Sequence, residues 1–341
     1  MKKLALVLAL CIAVAGAAAI ATNFADARST STSAQSANLA TTPPATALQD
    51  AFIAVYQRVS PSVVQIQTPN GLGSGIVYDT KGHIVTNDHV VAAATALVVT
   101  TASGKRLQAA LVGEFPADDL AVIKVATPSA LRAATFADST KLRVGQIAIA
   151  IGNPLGLSSS VTDGIVSALN RQVPEGNGTT LRNAIQTSAP INPGNSGGAL
   201  VDIQGRVIGI PTLAAASSQS GGAAAGIGFA VPSSAVKDIA GQLIRYGRVV
   251  NSHRAYLGVQ IGDTGRGVYV ASVTANGPAA KAGIAVGDLI NAVAGKPTLT
   301  SDDLGAILAG LRPSKTTKVQ ITHQDGTTAA VTVTLGELPG G

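Results

Sequence analysis

Three short segments hold side chains suited to acyl transfer. The run Gly82-His83-Ile84-Val85-Thr86-Asn87-Asp88-His89 sets an imidazole at the end of an extended stretch. Asp118 and Asp119 stand at the head of the apolar stretch Leu120-Ala121-Val122-Ile123. Ser196 lies within Asn192-Pro193-Gly194-Asn195-Ser196-Gly197-Gly198. A serine hydroxyl is a poor nucleophile at neutral pH. It needs a base to take its proton, and the base needs a partner that orients it and stabilises the imidazolium. The glycines beside the serine meet a second need, letting backbone N–H groups turn towards a developing oxyanion with no Cβ in the way. The expected donors are the amides of Gly194 and Ser196. Taken singly, a histidine at a strand end, an aspartate at a strand start and a glycine-rich loop are ordinary structure. Together, in the order His, Asp, Ser, they match one of the known chain orders of a catalytic triad.

The competing histidines are weaker. His83 is six residues before His89, and six residues of strand span about 20 Å, so the two cannot both meet one serine. His253 and His323 fall in a linker and in a second domain. Asp118 and Asp119 remain alternatives on residue type alone.

The elements that must position these groups are mostly short strands. Apolar residues Leu48, Phe52, Val55 and Val59 recur at helical spacing until Ser60-Pro61. Strands are then expected at 62–67, 75–78, 83–86, 96–100, 107–112 and 120–125, with Gly, Pro or Asp between them, which indicates an all-β barrel or sandwich. Helical spacing returns at 235–246, with Gly247 as C-cap. After a linker at 248–254, the pattern mixes strands at 268–273, 317–323 and 328–335 with helices at 279–282 and 301–311.

A chain of 341 residues with 46% hydrophobic residues suits two domains with real cores. The net charge is +6, but Lys and Arg form no run of five, and aromatics are only 3%. That argues against nucleic-acid binding. Cys11 is the single cysteine, so neither a disulfide nor a cysteine metal site is expected within the mature chain. No cofactor or metal is expected, and no P-loop motif appears. Lys2 and Lys3 precede an apolar run from Leu4 to Ile20, and Ala25-Asp26-Ala27 offers a cleavage site. Residues 1–27 therefore read as a signal peptide or a membrane anchor. Leu10 before Cys11 is too large for a lipoprotein signal. Residues 28–47, rich in Ser, Thr, Ala and Pro, read as a flexible linker.

The motifs TNDHVV, DDLAVIKV, IGNPLG, INPGNSGGAL and GIGFAVP resemble those of the HtrA (Deg-type) serine proteases. The resemblance runs from about Leu48 to the C-terminus. It implies a mainly β fold, with a chymotrypsin-like double β-barrel over 48–247 and the triad in the cleft between barrels. Carried over motif by motif, it makes His89 the base and Ser196 the nucleophile. The family pattern puts the orienting carboxylate directly before the Leu-Ala-Val strand, which selects Asp119. It also places Pro190, Ile227 and Phe229 at the primary specificity pocket, where the lack of an acid favours small or medium aliphatic side chains. Residues 254–337, and PAAKAGIAVGDLI above all, resemble a bacterial PDZ domain of α+β type. There an incoming C-terminal peptide would add a strand beside Val259, with its carboxylate in the loop Tyr256-Leu257-Gly258-Val259.

The implied activity is an ATP-independent serine endopeptidase acting on unfolded or regulatory envelope proteins. The alternative is a peptide-binding, chaperone-like module with negligible proteolysis. The implied location is periplasmic or otherwise extracytoplasmic in a bacterium. The implied assembly is a homotrimer, with Phe52 and Tyr56 as candidate contacts. Two departures limit the carry-over: Ser188 stands where many family members have Asp, and the loop 68–72 is short, so cage-like assemblies are not implied.

Overall fold

The computed structural model describes residues 43–153, 160–174, 179–192, 194–216, 223–265 and 267–340. The expected signal or anchor and most of the linker lie outside the described residues. Among the described residues, no helix is long and apolar enough to cross a membrane.

Helix α1 (Pro43–Val59) begins earlier than its apolar spacing suggests and takes in the end of the expected flexible linker. Prolines favour this start, because the first helical positions need no intrahelical N–H donor. Val55 and Val59 are buried, and Phe52 packs against the same core. The Ser60-Pro61 stop becomes a 3₁₀ turn, Ser60–Ser62.

Six strands follow: β1 (Val63–Thr68), β2 (Gly71–Val77), β3 (His83–Thr86), β4 (Leu97–Thr100), β5 (Arg106–Phe115) and β6 (Leu120–Val125). They close into a barrel in the order β1-β2-β3-β6-β5-β4. The short helix α2 (Asp88–Val91) interrupts the run after β3. A second closed barrel, ordered β10-β11-β12-β9-β8-β7, comprises β7 (Ile147–Gly152), β8 (Ser160–Pro174), β9 (Thr180–Thr187), β10 (Ala199–Val201), β11 (Val207–Ala216) and β12 (Ala223–Pro232). Closure removes the unpaired edges that an open sheet would leave. One apolar cluster joins the barrels, bringing Ile76 and Val85 of the first together with Ile151 and Ile210 of the second. Helix α3 (Ser233–Tyr246) adds Val236, Ile239 and Leu243 to it. Gly247 ends this helix at φ +72°, where its N–H bonds to the Leu243 carbonyl. This is the left-handed cap that glycine adopts at least cost.

The chain then forms β13 (Ala255–Tyr256), β14 (Val259–Asp263), β15 (Val268–Val273), α4 (Pro278–Lys281), β16 (Leu289–Val293), β17 (Lys296–Pro297), α5 (Ser301–Ala309), β18 (Thr316–Thr322), β19 (Thr328–Thr334) and β20 (Gly336–Glu337). The main sheet runs β14-β15-β16-β18-β19, so β14 lies at its edge, and β13 pairs with β20. A separate core of Leu257, Val268, Ile290, Leu304, Val319 and neighbours supports it.

The linker is bonded rather than loose. The Gln242 side chain accepts from the amides of Val250 and Asn251. Arg182 donates to the carbonyls of His253 and Ser252. The β20 strand returns beside it, and the Ser252 hydroxyl donates to Leu338 O at 2.8 Å.

Candidate active site

Strand β3 delivers His89 through the Asn87 turn, and β6 is preceded by Asp119. Asp119 takes φ +48°, rare for a residue with a Cβ. The Asn87 side chain donates to its carbonyl at 2.9 Å, which helps hold that conformation. The buried Asp119 carboxylate accepts from His89 Nδ1 at 2.9 Å and from the His89 backbone N–H at 3.0 Å. The Thr212 hydroxyl donates to Oδ2, the oxygen that also takes His89 Nδ1. A carboxylate so held fixes both the tilt of the imidazole and the nitrogen that carries the proton.

Asp118, one residue earlier, points elsewhere. It is buried against Arg254, whose guanidinium also donates to Thr180 O at 3.0 Å. The structure thus separates the two aspartates by partner, Asp119 to His89 and Asp118 to the linker arginine.

Ser196 comes from the turn before β10. Its hydroxyl donates to Thr212 O at 3.3 Å. The Asn195 side chain braces the turn, accepting from the Asn192 amide and donating to Pro190 O. Gly194 adopts φ +109°, a conformation that a Cβ would oppose. His89, Gly194, Ser196 and Thr212 line one cleft of about 500 Å³, together with Ile191 and the β1–β2 hairpin from Thr68 to Gly73. Among the described residues, His89 is the one histidine in that cleft. His83 is buried against Asp79 at 2.7 Å, His253 lies 3.5 Å from Asp238, and His323 is 2.9 Å from Asp288.

The expected specificity residues are not brought together in this cleft. Pro190 is exposed, and its carbonyl is taken by Asn195 and Thr162. Phe229 is buried in the core that joins the barrels. Ile227 is 37% exposed and does not line the cleft. Ile191 does, as do Leu72 and Val90, and it packs so close to Gly228 that a Cβ there would lie 2.3 Å from it. The tight turn uses the Pro190 carbonyl as an acceptor and leaves its ring exposed. Ser188 fills a local role, its hydroxyl accepting from the Ile165 amide at 3.0 Å.

Thr212 escaped the reading of the sequence, although it touches both Asp119 and Ser196. A hydroxyl inside the apolar strand Val207–Ala216 is the signal that points to it.

In the second domain, Tyr256, Leu257, Gly258 and Val259 line a groove between β14 and α5, with Ile261, Leu304 and Leu308 as its apolar wall. Gly258 sits at φ +82°. Ala117, Thr179 and Thr180 of the barrel domain border the same groove.

Comparison with known proteins agrees with this architecture. The family profile for a trypsin-like peptidase domain matches residues 73–210, and that for a PDZ domain matches residues 255–335. The periplasmic serine endoprotease DegP of Escherichia coli is 44% identical over 236 residues, covering 66% of this chain and 49% of DegP. The serine protease Do-like HtrA of Lactococcus lactis is 39% identical over 291 residues, covering 78% of this chain and 70% of that protein. Among solved structures, the HtrA-type protease AlgW with a decapeptide aligns with TM-score 0.58 and 30% identity, over 84% of this chain and 99% of that one. A serine endoprotease from Yersinia pestis aligns with TM-score 0.57 and 35% identity, over 84% and 98%. Fold and profiles together define a trypsin-like peptidase domain followed by a PDZ domain. The chain belongs to the HtrA family of serine proteases. It spans about half the length of DegP.

Proposed function

We propose that this chain is an extracytoplasmic serine endopeptidase that cuts unfolded or C-terminally exposed proteins without ATP. The observation that carries the reading is the His89–Asp119 pair opening into the same cleft as Ser196 and Gly194. Ser196 Oγ attacks the substrate carbonyl carbon while His89 takes its proton. Asp119 holds Nδ1–H and stabilises the imidazolium. The amides of Gly194 and Ser196 receive the oxyanion. His89 then gives its proton to the departing amine, and a water molecule hydrolyses the acyl-enzyme by the same steps in reverse.

Ile191 at the cleft, with no acid beside it among the lining residues, supports cleavage after small or medium aliphatic residues. The edge strand β14 and the loop from Tyr256 to Val259 support capture of a C-terminal peptide by strand addition. Periplasmic relatives such as DegP favour a location beyond the cytoplasmic membrane. Trimerisation through α1 is an extension of the same reading, with Tyr56 and the exposed Ile53 as contacts. Phe52 is less suited, being packed on its own core.

The test is digestion of an unfolded protein by the wild type and by Ser196→Ala, with the new ends sequenced. The wild type should cut after Val, Ala, Ile or Leu, and Ser196→Ala should lose activity by on the order of 10⁴–10⁶. Undiminished cutting by Ser196→Ala would overturn the proposal.

A further inference from the structure

Ser74 lies in β2 of the first barrel, between Gly73 and Gly75, and is fully buried. It is the wrong side chain for a barrel core unless its hydroxyl has partners. Those partners belong to the other barrel. Ser74 Oγ donates to the carbonyl of Gly194 and accepts from the Asn153 amide at 2.8 Å. The Ser74 backbone N–H donates to the carbonyl of Ser196 at 3.0 Å. Its own carbonyl accepts from the buried Thr86 hydroxyl at 2.7 Å. The approach is close: a Cβ on Gly197 would sit 2.2 Å from Ser74 O.

We propose that Ser74 is a positioning residue for the oxyanion site, holding the carbonyls of Gly194 and Ser196 out of the cleft so that the amides of the same two residues can face it. The inference rests on the proposed peptidase reaction. The Gly194 and Ser196 carbonyls share their planar peptide units with the N–H groups of Asn195 and Gly197, so Ser74 fixes the unit that follows each donor residue, and a rotation there disturbs the donor N–H groups through the Cα atoms they share with it. An inward carbonyl would also meet the oxyanion with the negative end of its dipole. Gly194, at φ +109° and without a Cβ, offers little resistance of its own to such a rotation. The Asn195 side chain acts on Asn192 and Pro190, and its N–H donates to the Asn192 carbonyl at 3.1 Å, while the carbonyl end of the same Gly194–Asn195 unit is held by Ser74. The hydroxyl also spans the boundary between barrels, tying β2, which pairs with the strand that delivers His89, to the turn that bears Ser196. Ser74 touches neither substrate nor proton; it acts through the turn.

The experiment compares Ser74→Ala with Thr86→Val, which removes a neighbouring buried hydroxyl without touching the Gly194 carbonyl. Both should lower the melting temperature. Ser74→Ala alone should lower kcat, on the order of 10–10²-fold, below the loss from deleting an oxyanion donor outright. KM for a short peptide should change little, because the donors act on the transition state. Affinity for a peptide boronate, which mimics the tetrahedral intermediate, should fall in parallel with kcat. Ser74→Cys keeps the shape with a weaker donor and should recover part of kcat.

Equal kcat losses in Ser74→Ala and Thr86→Val would reduce Ser74 to a structural residue and overturn the inference, as would wild-type kcat in Ser74→Ala. Should Ser74→Ala not fold, Ser74→Cys decides alone: a reduced kcat with unchanged KM supports the inference, and unchanged kcat overturns it. A wild type inert towards peptides and boronate would instead sink the peptidase reading, and this inference with it.

Discussion

The Ser196 cleft and the groove beside β14 are built to opposite rules. In the cleft, the Asp119 carboxylate accepts from the His89 ring, the His89 amide and Thr212, and the serine turn is braced by Asn195 and Ser74. In the groove, the lining is Val259, Ile261, Leu304 and Leu308 beside an edge strand and one glycine turn. Chemistry that stabilises a transient charge needs dipoles fixed before the reaction starts. Reversible capture of a peptide needs an open backbone edge and apolar depth, with specificity set by what fills it. Asp118 and Asp119 embody the difference within two adjacent residues. Asp119 serves the cleft, while Asp118 holds Arg254 where the PDZ domain joins.

The sharpest way to break this contrast is to remove one carboxylate at a time. Asp119→Asn should cut kcat by on the order of 10⁴, because the imidazole loses the partner that sets its tautomer. Asp118→Asn should leave the chemistry near normal but lower stability by about 3 kcal/mol, since Arg254 is then buried without its counter-charge. Exchange of those two phenotypes in a peptidase assay and a melting curve would refute the assignment.

A weaker test lies between the regions. If the Asp118–Arg254 pair couples groove to cleft, a peptide with a free C-terminal carboxylate should change cleavage of a small reporter. Couplings of this kind are typically about 5–150-fold. The amidated peptide should do much less, and Arg254→Leu should erase the response. A response that survives Arg254→Leu would show that the pair only docks the domains. Next in size, Thr212→Val should lower kcat on the order of tenfold, the worth of one hydrogen bond to a charge.

The smallest effect concerns Asp88, beside His89. Burial first, then the charges of Glu114 and Asp119, push its carboxyl up to about 6 against the pull of His89. Its Oδ1 is buried without a hydrogen-bond partner. A carboxyl raised in the folded state contributes stability that is complete below the ordinary value of 3.8 and is lost as pH rises through about 6. Asp88→Asn should therefore raise the melting temperature at about pH 8, with the gain shrinking as pH falls from about 6 to about 4. A gain independent of pH in calorimetry would contradict this.

What could be read from the chain without coordinates follows from locality. The strands at 83–86, 120–125 and 268–273 have the expected bounds, since each is an apolar run closed by turn residues. His89, Asp119 and Ser196, the residues proposed for the triad, can be singled out in the sequence because each sits in a short motif of its own. Ile191, Thr212 and Ser74 cannot, since their roles depend on partners on other strands; Ser74 Oγ meets a carbonyl 120 positions away. Arg254 reads as one more linker charge until the fold lays it on Asp118, 136 positions earlier. Pro190, Ile227 and Phe229 do not line the cleft with Ser196, because distance along the chain does not say which face of a tight turn meets it.

Covalent labelling with a serine-reactive phosphonate, mapped by mass spectrometry, tests the central claim most directly. The account predicts one adduct, on Ser196, forming rapidly in the wild type and far more slowly in His89→Ala. An adduct on a different serine, or equal labelling of Ser196 with and without His89, would contradict it.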